Sequence, residues 1–377
     1  MDCCSMFSGA SPSRLGYGGM RFPVLRETGA IDEEKAKELI DRAIRGGITY
    51  FDTAWPYHDG ESEPFLGRIL AKYARDSYYL ATKLPVWLVN TAKEAQAVFD
   101  GQLDRLQVSY VDYYLFHALN RERWEKLKGS GIIEWAEQLK QEGKIRHLGF
   151  SFHDDYEVFR EIITYRQWDF CQIQYNYMDR DIQAGDRGYE LARKMGIPMI
   201  VMEPVKGGML SGLPKEAQAI LEEADPERSP ASWALRWVGS HPNVKVILSG
   251  MSTMKQVEDN LKTFNEFTVL SEEEQKKMEG IVEEMRSRVQ NGCTGCRYCM
   301  PCPAGVNIPG NFKVWNNYHM YRTYGHVKGA WENELKEEEK AKNCIKCGKC
   351  EALCPQKLSI RDNLVQVQKD LDGRIFA

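Results

Sequence analysis

The sequence has 377 residues, of which 43% are hydrophobic and 28% are charged, so it can form one large globular domain and a smaller one. Its formal net charge is -4, and acidic and basic residues are intermixed, which argues against a nucleic-acid-binding protein or a membrane-surface patch. The chain lacks an apolar run long enough to cross a bilayer, and its N-terminus does not resemble a secretory signal. We therefore expect a cytoplasmic protein that binds neither nucleic acid nor a membrane.

From residue 15 to residue 249, short runs rich in β-branched and aromatic residues alternate with amphipathic stretches. The predicted strands are 15–20, 48–52, 78–82, 111–117, 145–151, 169–174, 198–203 and 244–249. The clearest helical stretches are 32–47, 94–106, 135–144 and 229–240. Eight strands that alternate with helices predict a (β/α)8 TIM barrel, an α/β fold. The doubly wound alternative needs a GxGxxG motif after its first strand, and the sequence has none there.

Two further helices are predicted near 252–264 and 271–290, after which the composition changes abruptly at Asn291. We place a domain boundary there: residues 1–290 form the barrel, and residues 291–377 form a small, mainly helical, ferredoxin-like domain. Between its two cysteine runs, the acidic stretch WENELKEEEKAK favours a helical insertion.

Polar side chains follow three consecutive predicted strands, at the barrel face where such enzymes place their chemistry. They are Asp52, Tyr57, Lys83 and His117. A Tyr can protonate a carbonyl oxygen while hydride reaches the carbon, and a nearby Lys held by an Asp is expected to lower the pKa of that Tyr. A His can orient the same carbonyl. Each residue alone is more often a cap, a surface charge or a packing residue, so the prediction depends on the set.

The segment GITYFDTAWPYHDGESEPFLG (47–67) resembles the aldo/keto reductase signature, and further matching segments extend to ILSGMSTMKQVEDNL (247–261). The resemblance implies that Asp52, Tyr57, Lys83 and His117 are the catalytic residues, in the roles given above. It also implies a nicotinamide cofactor, with Ser151 and Gln172 at the carboxamide. The residues expected along the pyrophosphate and adenosine are Glu203, Pro204, Val205, Lys206, Gly208, Gly250, Met251, Gln256, Asp259 and Asn260.

Three positions depart from the pattern of this family. Phe152 stands where many members have an Asn, Met202 where an aromatic residue commonly stacks on the nicotinamide, and Gln256 where an Arg often binds the 2′-phosphate of NADP. Both NAD(H) and NADP(H) therefore remain candidates. The first segment, MDCCSMFSGASPSR, replaces the usual N-terminal hairpin and is assigned no function.

Eight of the 11 cysteines fall between Cys293 and Cys354, in two runs that each end in Cys-Pro. The second run has the CxxCxxCxxxCP spacing of bacterial ferredoxins, and the first is one residue shorter before its last cysteine. The spacing predicts two [4Fe–4S] clusters with crossed ligands. One set is Cys293, Cys296, Cys299 and Cys354, and the other is Cys302, Cys344, Cys347 and Cys350. A pair of zinc sites is the alternative.

Two functions remain open at this stage. The first is reversible reduction of a small carbonyl substrate at the barrel, with clusters that are structural or exchange electrons with a partner such as ferredoxin or a flavoprotein. The second is an electron-carrying or redox-sensing iron–sulfur protein whose barrel binds nicotinamide without carbonyl turnover. The intact set of Asp52, Tyr57, Lys83 and His117 favours the first.

Overall fold

The computed structural model describes residues 11–374. Its contacts divide the chain into two compact units. The barrel unit comprises the residues up to Pro204 together with Ser232–Leu270, and the cysteine unit comprises Val205–Ala231 together with the residues from Ser271 onward. None of the helices in the described part of the chain is both long and apolar enough to cross a bilayer.

Eight parallel strands close into a barrel in chain order, with the last strand paired to the first. The strands are β1 (Leu15–Gly18), β2 (Tyr50–Asp52), β3 (Tyr79–Leu84), β4 (Val111–Leu119), β5 (Ile145–Phe152), β6 (Phe170–Gln174), β7 (Met199–Met202) and β8 (Val244–Ser249). The predicted fold is confirmed, and every predicted strand is present with small shifts at its ends.

The helices of the barrel unit lie between the strands, except for α10, which follows β8. They are α1 (Glu33–Arg45), α2 (Ser62–Leu70), α3 (Ala92–Leu106), α4 (Arg121–Leu127), α5 (Ile132–Gln141), α6 (Tyr156–Tyr165), α7 (Gly185–Lys194), α9 (Pro230–Gly239) and α10 (Met254–Asn265). In α1 the side chain of Asp32 caps the N-terminus by accepting from the Lys35 N–H, and Leu39 and Ile40 are on its buried face. The predicted helices are all found, with ends that differ by up to three residues.

Side chains fill the interior of the barrel. Tyr50 and Tyr113 are fully buried there, with ring centroids 5.0 Å apart. Gly16 makes room for this packing, because a Cβ at that position would come within 2.9 Å of Leu248 and Val246. The interior is therefore a packed core, and the chemistry has to lie at the ends of the strands.

The cysteine unit is helical. Its helices are α8 (Lys215–Ala224), α11 (Glu272–Ser287), α12 (Ile308–Met320), α13 (Tyr324–Gly329), α14 (Lys349–Leu353) and α15 (Ile360–Arg374). The longest helix between the cysteine runs is α12, whereas the acidic stretch 331–342 forms only π-helical and 3-10 turns. The predicted helical insertion is present, with α12 and α13 as its regular helices, while the acidic stretch itself forms the shorter turns.

Buried polar contacts fix the segment between the two cysteine runs. The Asn311 side chain is fully buried, donates to the carbonyl oxygen of Glu339 at 2.8 Å and accepts from the Ala341 N–H at 2.8 Å. The Trp315 indole donates to Asp370 on α15 at 2.8 Å. Because each bond joins separate stretches of chain, the segment from α12 to residue 343 is held against the end of the chain.

Candidate active site and cluster ligands

The four predicted catalytic side chains come from neighbouring parts of one barrel rim. Asp52 ends β2, Lys83 is next to the last residue of β3, and His117 lies near the end of β4. Tyr57 begins a short 3-10 turn just beyond β2. Parallel strands in register place these ends on the same face, so the structure brings all four residues together.

The Lys83 ammonium is the centre of this group. It is fully buried, and its Nζ lies 2.7 Å from Asp52 Oδ1 and 2.8 Å from the carbonyl oxygen of Thr53. A longer contact of 3.4 Å reaches the hydroxyl of Tyr57. An ammonium has three N–H donors, so these three contacts account for all of them and fix the position of the amine.

Burial raises the pKa of Tyr57 above its ordinary value of 10.0, although the Lys83 charge acts in the opposite direction. The predicted lowering by Lys83 is present, but burial outweighs it in the net shift. Burial alone would lower the pKa of Lys83, but the Asp52 carboxylate raises it. At neutral pH the site thus holds a neutral phenol beside an ammonium.

His117 completes the group. Its ring lies edge-on to the ring of Tyr57 with centroids 5.9 Å apart, and its buried Nδ1 has no hydrogen-bond partner among the described residues. Burial, together with the charge of Lys83, holds the pKa of His117 well below its ordinary value of 6.5. The imidazole is therefore neutral at pH 7 and has one N–H that can donate to a ligand.

A second buried network of hydrogen bonds joins β3 to α2 and α3. The Glu63 carboxylate is fully buried and accepts from Thr82 at 2.6 Å, from Gln102 at 2.6 Å and from Arg105 at 2.7 Å. Gln102 also donates to the carbonyl oxygen of Lys83 at 3.1 Å. This network fixes the backbone that carries the ammonium.

The carboxamide candidates lie on β5 and β6. Ser151 Oγ accepts from the Ala118 N–H at 2.7 Å, and both Ser151 and Gln172 are almost fully buried. The Gln172 amide nitrogen points to the sulfur of Met202 at 3.6 Å, whereas its buried Oε1 has no partner among the described residues. An unpartnered buried amide oxygen fits a ligand that donates an N–H, such as a carboxamide.

The candidates beyond β8 surround the start of α10. Asn260 donates to Ser249 Oγ at 2.9 Å, and Tyr17 donates to the carbonyl oxygen of Met251 at 2.7 Å. Gln256 Oε1 accepts from the Ser252 N–H at 2.8 Å as part of the N-terminal cap of α10. Gly250 packs closely, since an added Cβ would lie 2.9 Å from Arg21, and Asp259 is one residue before Asn260 on the same helix.

The candidates after β7 form a tight loop. Glu203, Lys206 and Gly208 all have positive φ angles, of 56°, 50° and 100°. Glu203 and Pro204 belong to the barrel unit, whereas Val205, Lys206 and Gly208 belong to the cysteine unit. Within the cysteine unit, the Arg322 N–H donates to the carbonyl oxygen of Gly212 at 3.1 Å. The end of this loop is therefore bonded to the segment that follows α12.

The eight cysteines of the two runs line two neighbouring cavities in the cysteine unit, each of about 340 Å³ including the part open to solvent. The cysteines around one cavity are Cys293, Cys296, Cys299 and Cys354. Those around the other are Cys302, Cys344, Cys347 and Cys350, with Cys299 at its edge. Each group takes three cysteines from one run and the last cysteine from the other, as a two-cluster ferredoxin pattern requires.

The thiols in these groups are free, and no three His, Cys, Asp or Glu side chains within residues 11–374 are close enough to hold a single metal ion. The ligands of a zinc ion would have to converge on one point, whereas those of a cubane surround a larger object. Two groups that each combine a CxxCxxC run with the Cys-Pro cysteine of the other run fit iron–sulfur clusters better than zinc. Cys171 is buried in β6, away from both groups, and Cys3 and Cys4 lie outside the described residues.

Comparison with known protein families agrees with this arrangement. A model of the aldo/keto reductase family matches residues 14–283, which is well over half of the chain. This chain belongs to the aldo/keto reductase family. It is an NAD(P)-dependent oxidoreductase of the aldo/keto reductase type, and residues 292–358 match a model of a 4Fe-4S dicluster domain.

Individual relatives of this aldo/keto reductase are distant. It is 27% identical over 285 residues to the NADH-specific methylglyoxal reductase of Escherichia coli, a match that covers 63% of this chain and 85% of that protein. The structure of an aldo-keto reductase from Bacillus halodurans in its holo form has a TM-score of 0.64 and 28% identity, over 74% of this chain and 96% of that one. An aldo-keto reductase from Klebsiella pneumoniae in complex with NADPH has a TM-score of 0.61 and 21% identity, over 74% and 95% of the two chains. The last likeness shows the fold alone.

Sequence reasoning missed several groups around the active site of this aldo/keto reductase. The backbone carbonyl of Thr53 could not be found from residue types, because any residue has one. Glu63 lies inside the signature segment, but its partners Gln102 and Arg105 are far along the chain, so only the fold pairs them. Arg123 was not singled out either, although it stacks on Trp87 beside His117.

Proposed function

We propose that the barrel of this protein reduces a small carbonyl compound, and oxidises the corresponding alcohol, by hydride transfer with Tyr57 as the general acid and base. The observation that carries this proposal is the buried contact of the Lys83 ammonium with Asp52, Thr53 and Tyr57. Burial of the Lys83 ammonium costs desolvation free energy. Such a buried charge is expected at a site where it acts on a neighbouring proton transfer.

Each side chain has a role that its surroundings support. Tyr57 keeps its proton at neutral pH and can give it to the carbonyl oxygen. Lys83 favours the phenolate that results, and Asp52 keeps Lys83 charged and in place. Neutral His117 can donate a hydrogen bond to the same oxygen and orient the substrate.

The nicotinamide, when bound, supplies the hydride. We propose that Ser151 and Gln172 hold its carboxamide, an assignment supported by the unpartnered buried oxygen of Gln172. The loop from Glu203 to Gly208 would follow the pyrophosphate. The positions assigned to the adenosine end are Gly250, Met251, Gln256, Asp259 and Asn260.

We further propose that two [4Fe–4S] clusters, which carry single electrons, are held by the two cysteine groups of the cysteine unit. Cys293, Cys296, Cys299 and Cys354 would bind one cluster. Cys302, Cys344, Cys347 and Cys350 would bind the other. Their role would be structural or electron exchange with ferredoxin or a flavoprotein. Clustered cysteines that bind metal favour a reducing, cytoplasmic location, and the change in composition at Asn291 favours a functional boundary near residue 290.

The experiment that tests the carbonyl reductase proposal is the variant Tyr57→Phe, which keeps the ring and removes the proton. We expect the rate of carbonyl reduction by the anaerobically purified holoprotein to fall by about 10²–10⁴-fold. Nicotinamide binding, followed by fluorescence, should be unchanged. As a control, Tyr73→Phe changes a phenol that bonds to Asp41 away from the site and should leave the rate intact.

Retention of most of the activity in Tyr57→Phe would contradict the assignment of the general acid. A wild-type protein that binds nicotinamide and transfers electrons through its clusters, but turns over no carbonyl, would instead support the electron-carrier alternative.

A further inference from the structure

Arg123 and the candidate catalytic residue His117 both contact the ring of Trp87. The ring of Trp87 is 5.2 Å from the ring of His117, and the guanidinium carbon of Arg123 is 4.6 Å from the centroid of the Trp87 ring. Arg123 is on α4, the helix that follows β4, and β4 carries His117. All three side chains therefore face the same rim of the barrel.

The guanidinium is held in a fixed orientation. Its Nη1 donates to the carbonyl oxygen of Ala118 at 2.7 Å, and Ala118, the residue after His117, has a φ of 52°. Residues other than glycine rarely adopt this left-handed conformation. At Ala118 it directs the carbonyl oxygen of that residue toward Arg123. Because only one N–H of the guanidinium is used in this way, most of its N–H groups remain available to donate to a ligand.

The charge of Arg123 has no acidic partner. No carboxylate within the part of the chain from residue 11 to residue 374 forms an ion pair with it, although the side chain is only half-exposed. By contrast, Arg121 on the same helix pairs with Glu161 at 3.0 Å. An arginine that is stacked and oriented, yet has no counter-ion, is typical of a site that receives an anion.

The other charges around His117 do not neutralise this arginine. Lys83 is positive and already paired with Asp52, and His153, whose own pKa is lowered by burial, adds no positive charge at neutral pH. The acidic group that acts on His153 is Glu203. Burial first, and then the charges of Lys83, His153 and Arg123, lower the pKa of His117. Lys83 and Arg123 are therefore the cations that act on this imidazole, and of the two only Lys83 has an ion-pair partner among residues 11–374.

We propose that Arg123 binds a carboxylate of the substrate, so that this enzyme acts on carbonyl compounds that carry a negative charge. The planar guanidinium matches a carboxylate by two parallel hydrogen bonds. Because His117 and Arg123 both contact the Trp87 ring, a carboxylate at Arg123 is separated from a carbonyl at His117 by several bonds. The inference rests on the proposed carbonyl reduction at Tyr57.

The test compares two aldehydes of the same chain length, succinic semialdehyde with a carboxylate and butanal without one. We expect the holoprotein to have a kcat/KM at least about tenfold higher for succinic semialdehyde. In Arg123→Gln that value should fall by about 10–100-fold, mainly through KM, because one charge-assisted interaction is lost, whereas the value for butanal should change little. Arg123→Lys should restore part of the loss.

The matched control is Arg121→Gln, which removes a charge from the same helix that is already paired with Glu161. It should leave both aldehydes unaffected. Equal losses for succinic semialdehyde and butanal in Arg123→Gln would overturn the proposal. A second outcome would also overturn it. If the ratio of kcat/KM for glyceraldehyde phosphate to that for glyceraldehyde exceeded the ratio for succinic semialdehyde to butanal, the arginine would be assigned to a phosphate.

A binding measurement separates this inference from the proposed reaction. Succinate has the carboxylates but no carbonyl to reduce, and its binding can be followed by tryptophan fluorescence because Trp87 lies at the site. We expect Arg123→Gln to weaken succinate binding by about tenfold or more. Equal succinate binding by the wild type and the variant would overturn the assignment of Arg123, whether or not any carbonyl is turned over.

Discussion

The two units of this protein differ in how the polar side chains of their sites are compensated. In the barrel unit, the charges of Lys83 and Asp52 are compensated by each other on strands fixed by a packed aromatic interior. In the cysteine unit, two cavities lined by thiols lie beside a smaller core that includes Phe312 and Trp331. The barrel site can therefore be stable without any bound group, whereas the cysteine unit depends on what its thiols bind.

The largest effect that would test this contrast is loss of a cluster ligand. We expect Cys350→Ser, at a buried thiol, to remove one cluster and to destabilise the cysteine unit by several kcal/mol, because metal binding and folding are coupled there. Iron content should fall by about half, and hydrogen exchange should increase across α12 and α15 while the barrel strands stay protected.

The control for this variant is Cys171→Ala, at a buried barrel cysteine outside both groups, which should keep the full iron content. Equal exchange in the strands and in α12 after Cys350→Ser would contradict the proposed difference between the units.

A smaller effect is expected from Lys83→Met in the barrel. The variant leaves the buried Asp52 carboxylate without its partner, so the free energy of unfolding should fall by about 3–5 kcal/mol. The double variant Lys83→Met with Asp52→Asn removes both charges and should recover part of the loss. Denaturant unfolding followed by circular dichroism measures both values, and additive losses would show that the two side chains do not interact.

The pH dependence of stability tests the buried neutral histidine. Because the pKa of His117 is lower in the folded state than its ordinary value of 6.5, the unfolded chain binds a proton first as the pH falls. Stability should decrease with falling pH below 6.5, by up to about 1.4 kcal/mol per pH unit for this one group. His117→Gln should make the slope shallower, and an unchanged slope would mean that other groups produce it.

The smallest effect concerns the choice of cofactor. Gln256 caps α10 and has no charge, so Gln256→Arg should add an attraction for the 2′-phosphate of NADPH. We expect the ratio of kcat/KM with NADPH to that with NADH to rise by about tenfold, which corresponds to about 1.4 kcal/mol. Thr253→Ala, which weakens the same cap without adding charge, should leave the ratio unchanged.

Sequence patterns were sufficient for the barrel because its strands and helices differ in hydrophobic period and alternate regularly. They also indicated Asp52, Tyr57, Lys83 and His117, since strand ends in a barrel lie on one face. They indicated that Lys83 lowers the pKa of Tyr57 but not that burial raises it by more, because the degree of burial depends on side chains from many segments. Composition also indicated the helical insertion between the cysteine runs, but not that the acidic stretch 331–342 would form π-helical and 3-10 turns in place of an α-helix.

Other features could not be predicted, because they depend on distance in space. The contact of Gln102 with the Lys83 carbonyl joins residues on successive elements, and residue types alone give no sign of it. The position of Arg123 over Trp87 depends on the left-handed backbone at Ala118. The one spatial pairing that the sequence did indicate, the crossed cysteine groups, came from a spacing rule specific to clusters.

We propose that nicotinamide gives its hydride to a carbonyl at the barrel and not its electrons to the clusters, because a hydride carries two electrons whereas each cluster carries one. The most direct test is to purify the protein without oxygen and to record its visible spectrum while adding NADH or NADPH, and then succinic semialdehyde. We expect the nicotinamide absorbance to fall only after the aldehyde is added, with the broad cluster band unchanged. Bleaching of the cluster band by reduced nicotinamide before any aldehyde is present would contradict the claim.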